Sequence, residues 1–484
     1  MARCIGTVRV SILATVLCFV LSLPCWAHEP PSRAGVPVRV GVFDIDASPP
    51  IGSPLAYDPC IAVEMPLRCK GIVLLSDQAP IVLISVDWIG IGNEGHTRFR
   101  KMVADAVGTS IERVAVHAIH QHDAPECDLS AAELLRPLGL TEKVYDVDWQ
   151  LDVMRRAAEA AKQAKAGAQR VTHVGFGKGK VEKVASNRRI LGPDGKVKYM
   201  RWTATKDPKI RAMPVGTIDP YLRLVTFWQD DKPLVALTYY ACHPQSYYRT
   251  GKANPDFPGI ARETLQKETG VPHIHFDGAG GNIGAGKWND GSPENRPVLA
   301  NRVAEGMRKA WKNTHRYRLS GKDVDWRVVK VRLPVAPHLK EPELLAMLKD
   351  EKRSVGERKW AARSLAWLRR CKAGETIDIG CLYLGKGRIV HMPGELFVEY
   401  QLAAQKMRPD LFVAMAAYGD YGPGYIGTAV AYEQGGYETS PRASRVAPEV
   451  EKVLMDALRV LLEPENETSL APPVSAARFA FREH

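Results

Sequence analysis

The segment that most restricts how this chain can fold is Ile81–Val86, Ile-Val-Leu-Ile-Ser-Val, a nearly unbroken apolar run that closes on Asp87. Successive strand residues point to opposite faces, so a strand apolar at nearly every position has to be covered on both. It is followed by a helical pattern over 97–107, closed by Gly108, and then by a second strand pattern starting at Val114. This order recurs. Strand pattern 234–241 ends in Cys242-His243-Pro244, a helical stretch spans 259–269, and strand pattern 271–277 runs into a glycine-rich loop, 278–286. Further on, 388–392 ends in Pro393-Gly394-Glu395, and 411–417 leads to Tyr418 and Tyr425. Strands alternating with helices predict an α/β fold with a mixed, mostly parallel sheet covered by helices. Sites in such folds form beyond the carboxyl ends of the strands. No internal repeat is evident in the sequence.

Polar residues collect at those predicted ends. The stretch 114–125 reads Val-Ala-Val-His117-Ala-Ile-His120-Gln-His122-Asp123-Ala-Pro, with three histidines and an aspartate within seven residues. Imidazole nitrogen with carboxylate oxygen is a ligand mix that zinc accepts, although such clusters also occur as plain structural or surface polar groups. Strand alternation groups His120 and His122 with Val114 and Val116, and leaves His117 on the other face as a packed core histidine. His243, Glu395 and Tyr425 each follow a separate predicted strand. Taken singly they read as ordinary loop residues; taken with His120 they would place two imidazoles and two oxygens around one ion.

A length of 484 residues, 45% hydrophobic and 25% charged, fits a globular chain with a sizeable core. Arg3 and Arg9, the apolar run 10–23 and the small residue Ala27 form a secretory-signal pattern over 1–27, too short to span a bilayer. Export to the periplasm or beyond is therefore expected, with a lead-in at 28–37, one domain over 38–465 and a tail at 466–484. Cys60 with Cys69, and Cys371 with Cys381, are spaced for disulfides or are buried thiols. The formal charge is +12, but its basic residues are interspersed with acids and no nucleic-acid-binding pattern is present. Nucleic acid is not the expected partner; peripheral contact with an anionic surface, an acidic lipid layer or an anionic polymer, fits better. Phe176-Gly-Lys-Gly-Lys180 lacks the spacing of a phosphate-binding loop and reads as a turn. The charged helical stretch 341–370, within a candidate insertion at 337–373, is a cap over the site, a membrane-facing element or a solvated hairpin.

With these residues in hand, the chain resembles the neutral (non-lysosomal, neutral/alkaline) ceramidase family of zinc-dependent amidases, as a divergent member of bacterial type. Ala118-Ile-His120-Gln-His122-Asp-Ala-Pro resembles the family's Thr-His-Thr-His-Ser-Gly-Pro, which implies His120 as a zinc ligand and His122 as a catalytic residue. Cys242-His243-Pro244 is similar to its Val-His-Pro, Met392-Pro-Gly-Glu395 to its Pro-Gly-Glu, and Tyr425-Ile-Gly-Thr428 to its Tyr-Ile-Thr-Thr. The implied ligands are therefore His120, His243, Glu395 and Tyr425. Asn187-Arg188 resembles the pair whose arginine reaches the active site. The matches keep the family's order over roughly 38–462. One loop departs: where the family has Gly-Asp-Val-Ser-Pro-Asn, this chain has Asn282 for the aspartate and Gly284 for the serine.

The mechanism implied is attack by a zinc-activated water, which needs no serine. His122 would act as general acid or base and Arg188 would steady developing negative charge. Asn282, Gly284, Asp123 and Tyr437 are the candidate substrate contacts, Asp123 being equally readable as a loop cap. An amide of an N-acyl lipid or N-acyl sugar is the expected substrate. An ester, lactone or glycosidic bond, or a binding protein without turnover on the same scaffold, are the alternatives.

Overall fold

The computed structural model describes residues 1–2 and 36–463. The predicted signal, most of the lead-in and the tail lie outside the described residues. The chain divides into two units at Ala34, and the second, Gly35–His484, holds the sheets, the helices and the candidate site.

That unit lays down three larger sheets in succession, besides several two-stranded ladders. The first holds β1 (Arg39–Asp46), β2 (Arg68–Leu75), β3 (Ile81–Val86) and β4 (Val114–Ala118), with β5 (Gln169–Arg170) at its edge. The second holds β6 (His173–Lys180), β7 (Tyr221–Gln229), β8 (Lys232–Tyr240) and β9 (His273–Asp277), with β10 (His315–Arg318) at its edge. The third holds β11 (Val324–Val331), β12 (Ile377–Leu384), β13 (Gly387–His391) and β14 (Phe412–Ala416).

All three follow one plan. Three strands run antiparallel, and a helix then carries the chain to a fourth strand parallel to the third. The crossover helices are Asn93–Val107, Asp256–Thr269 and Val398–Met407. A repeated topology is thus present although no repeat is visible in the sequence. It also corrects the expected mostly parallel sheet, because pairing is mostly antiparallel. Gln229 pairs Lys232 across Asp230-Asp231, and Leu384 pairs Gly387 across Gly385-Lys386. Connections of two residues join only antiparallel neighbours.

The inner faces of the three sheets share one apolar core that includes Leu83, Phe276 and Ile389. Helices cover the outer faces. Ile81 and Leu83 point inward while Val82 and Ile84 pack with Phe99 and Val103 of the first crossover helix, which is why Ile81–Val86 is apolar throughout. Phe176–Lys180 is not a turn but the interior of β6. Cβ atoms at Gly177 and Gly179 would stand 2.0 Å from the carbonyl oxygens of Ala310 and Gly306, so these glycines let helix Asn295–Lys312 lie directly on the sheet. Cys60, Cys69, Cys127, Cys242, Cys371 and Cys381 are all free thiols, which removes the disulfide alternative. The stretch 341–370 forms helices Glu341–Lys349 and Val355–Lys372, with Leu344, Leu348, Leu365 and Trp367 buried in the core beside β12 and β13. Among the described residues no helix is long and apolar enough to cross a membrane.

Candidate metal and catalytic site

β4 stops at Ala118, and the backbone turns at His120, which adopts a φ of +64°, a region costly for a non-glycine residue. The simple strand alternation therefore ends before the histidines. Even so, the rings of His120 and His122 come together edge to face at 5.0 Å between centroids. β8 delivers His243. Glu395 and Tyr425 are delivered as a pair, since Glu395–Leu396 and Tyr425–Ile426 form a short parallel ladder. Each of these two residues follows a Pro-Gly step whose glycine, Gly394 or Gly424, has φ near +61° or +67°. A side chain at Gly394 would lie 2.5 Å from the Gly424 carbonyl oxygen, so the twin turns fit only without one.

Four side-chain atoms then converge in a buried spot. His120 Nε2 is 3.1 Å from His243 Nε2 and 3.2 Å from Glu395 Oε2. His243 Nε2 is 3.3 Å from Glu395 Oε2 and 3.3 Å from Tyr425 Oη. Backbone carbonyls fix the tautomers. His120 Nδ1 lies 2.5 Å from the Ile89 oxygen and His243 Nδ1 3.0 Å from the Gly280 oxygen, and a carbonyl can only accept, so both Nδ1 atoms carry the proton. Burial, offset only in part by Glu395, takes His243 down to about 4, so its ring is neutral. Its Nε2 therefore presents a bare lone pair. Glu395 Oε2 has no hydrogen-bond partner, while Tyr421 Oη donates to the other oxygen at 2.7 Å. Lone pairs facing one another in a buried space call for a cation. A tetrahedral zinc with bonds of about 2.0 Å has ligand-to-ligand edges of about 3.3 Å, and the four observed separations match it. The donor set fits zinc.

His122 is built differently. Its Nδ1 is 2.9 Å from the amide nitrogen of Gln245 and 3.0 Å from Tyr57 Oη. The Gln245 amide donates, so Nδ1 accepts and the proton of the neutral ring sits on Nε2. That Nε2 is buried and without a partner. Burial, with His120 and His243 close by, keeps the ring well below the ordinary histidine value, and hence neutral. The histidine trio His120, His122 and His243 is compact enough to hold an ion, but tautomer separates two lone-pair donors from one N–H donor.

Arg188 Nη1 donates to Tyr425 Oη at 3.1 Å. Burial works against its charge, but Tyr425 and Glu438 hold it above the ordinary arginine range. Glu438 is fully buried between Arg188, at 3.4 Å, and Arg189, at 3.2 Å. Tyr437 packs edge to face on Tyr425 at 5.7 Å and lines the adjoining cleft. Gly284 lies beside Arg188 and His243, where a Cβ would find 3.4 Å and 3.9 Å of clearance respectively. Asn282 and Asp123 are turned to structural duties. Asn282 donates to Glu399 at 2.8 Å and accepts from Val398 N at 2.9 Å, tying the glycine loop to a helix start. Asp123 accepts from Arg249 N and from Thr250 N and Oγ1 at 2.9–3.2 Å, the loop-cap alternative. Tyr57, Gln245, Tyr421 and Glu438 are absent from the sequence-predicted set; their relevance comes from contacts across long stretches of chain, for which no local motif exists.

The cleft leading to Glu395 and Tyr425 encloses about 570 Å³ and is walled by Tyr57, Ile89, Tyr421, Tyr437 and, from the helical hairpin, Lys359, Trp360 and Arg363. Residues of the hairpin thus line part of the cleft.

No family model and no curated protein matches the chain. Among solved structures, it is similar to the neutral ceramidase from Pseudomonas aeruginosa, with a TM-score of 0.61 and 15% identity over 90% of this chain and 76% of that one. It is also similar to a structure described as ceramidase complexed with C2, with a TM-score of 0.62 and 16% identity over 93% and 79% of the two chains. At these identities the likeness establishes the fold.

Proposed function

We propose that the chain is a zinc-dependent hydrolase of the neutral-ceramidase type that cleaves an amide bond of an N-acyl lipid or N-acyl sugar. The observation that carries this reading is the convergence of His120 Nε2, His243 Nε2, Glu395 Oε2 and Tyr425 Oη at 3.1–3.3 Å, with both imidazole protons committed to backbone carbonyls. Zinc, when bound, supplies a Lewis acid that lowers the pKa of water from about 15.7 toward about 7.

The chain's own residues supply the rest. His122 offers its Nε2–H to the substrate's carbonyl oxygen as negative charge builds there. A second proton on Nδ1 would face the Gln245 amide hydrogens, which suits His122 to hydrogen-bond donation more than to proton shuttling. Arg188 brings a fixed positive charge next to Tyr425, with Glu438 holding its guanidinium in place. Gly284 leaves room between Arg188 and His243 for the substrate, where the ceramidase motif has a serine. The test is a screen of the zinc-loaded protein against N-acyl, O-acyl and glycosidic substrates. Turnover of N-acyl compounds alone is expected; turnover confined to esters or glycosides, or none in any class, overturns the reading.

A further inference from the structure

The cleft walls carry positive charge that the fold itself does not neutralise. Their acids are already engaged. Glu395 belongs to the donor cluster, and Glu126 lies 2.8 Å from Lys359 Nζ and 2.5 Å from Arg363 Nη1. Glu357 closes a capping box with Ser354 and meets Arg353 at 2.8 Å. Three arginines on the same walls, Arg249, Arg442 and Arg445, have no carboxylate partner among the described residues.

Two of them are held in place by structure. Arg249 has a φ of +66°, a conformation maintained by the buried carboxylate of Asp123, which accepts its backbone N–H at 2.9 Å. Its guanidinium lies over the rings of Tyr57 and Tyr248, at 5.1 and 5.6 Å. Tyr57 in turn contacts His122, so the cation stands one aromatic ring away from the site. Arg445 is 4% exposed and spends its hydrogen bonds on Ser364 Oγ and the Gly422 oxygen. Burial, with Arg363 alongside, pulls it down to about 10. Glu126 and Asp128 offset only part of that burial; a buried cation is costly, and an anion placed near it recovers part of the remaining cost. Arg442 stands exposed at the rim, its backbone oxygen accepting from Trp360 Nε1 at 2.9 Å. Between these charges the walls are apolar: Ile89, Met347, Trp360 and Tyr421.

We infer that the cleft selects an anionic amphiphile, an N-acyl compound whose acyl chain lies on the apolar wall and whose head carries a carboxylate or phosphate received by Arg249, Arg442 and Arg445. This rests on the amide-hydrolase reading for turnover, but not for binding. The two are separated by measuring both on the zinc-loaded full chain with three probes sharing one acyl chain: N-lauroylglycine, N-lauroyl-O-phosphoethanolamine and the neutral N-lauroylethanolamine. At least one anionic probe is expected to bind, and to be cleaved in kcat/KM terms, about tenfold or more better than the neutral one. Arg249→Gln with Arg442→Gln brings that ratio toward one, chiefly through KM. Preferential binding of an anionic probe without cleavage of any probe removes the hydrolase reading and keeps this one. Equal binding of all three probes, no binding of any, or an anionic preference that survives the double substitution overturns it.

Discussion

Gln245 Nε2 lies 2.9 Å from His122 Nδ1, and this one bond sets His122 apart from its neighbours. His120 and His243 give their Nδ1 protons to backbone oxygens and face inward with lone pairs; His122 receives at Nδ1 and faces inward with a proton. Gln245→Glu replaces the donor with an acceptor and drives the His122 proton to Nδ1. A fall in kcat of about 10²–10³, the usual cost of losing one oxyanion donor, is expected with zinc content unchanged. Steady-state kinetics beside metal analysis checks both halves.

Glu438 acts through Arg188. Glu438→Gln leaves two buried guanidiniums, Arg188 and Arg189, without their carboxylate, which costs about 3–5 kcal/mol of stability by the usual measure of a broken buried pair. Glu438→Asp is expected to recover part of both stability and kcat/KM. Chemical denaturation and kinetics on the two variants test this; equal behaviour of Gln and Asp would contradict it.

The loop that departs from the ceramidase motif does not revert as a unit. Gly284→Ser meets only ordinary contacts near Arg188 and His243 and is expected to fold normally. Asn282→Asp removes the amide that donates to Glu399 and sets a buried carboxyl group against a half-buried one, at an expected cost of about 1–3 kcal/mol. Adding Glu399→Gln restores a donor and most of the stability, as read from urea unfolding.

The pairing of Glu126 with the helical hairpin carries a pH signature. Burial opposes the charge of Glu126, but Arg363 and Lys359 hold it down at about 2 against an ordinary 4.5. A depressed carboxylate stabilises the fold above its unfolded pKa, so this contribution is present above about pH 4.5 and is lost as pH falls toward 2. Glu126→Gln therefore lowers the melting temperature most at neutral pH, and the gap from the unsubstituted protein closes in acid.

The parts of this protein that can be read from sequence are those carried by local pattern. Ile81–Val86 announces burial on both faces because the chain has sheet partners inside and helices outside. His120, His243, Glu395 and Tyr425 stand out because each follows an apolar strand pattern, and the fold brings them together. The antiparallel meanders escape a sequence reading because β2, β7, β11 and β12 are broken by charged or glycine residues, as in Arg68-Cys-Lys-Gly, while the two-residue turns that fix their direction are short. The glycines of β6 look like a turn because what they accommodate, a helix backbone, lies more than a hundred residues away. Asn282 and Asp123 sit next to motif residues yet give their hydrogen bonds to the protein's own loops and helix start, a distinction that adjacency in sequence cannot make. Gln245 and Glu438 matter only through partners that the fold supplies.

Zinc content, measured on the protein and on three single variants, tests the central claim most directly. The protein is expected to hold one zinc per chain. His120→Ala and His243→Ala should each lose the metal, whereas His122→Ala should keep it while turnover falls about 10²–10³-fold. Loss of zinc from His122→Ala, its retention in both His120→Ala and His243→Ala, or a protein that takes up none would contradict the separation of two metal-binding histidines from one hydrogen-bond donor.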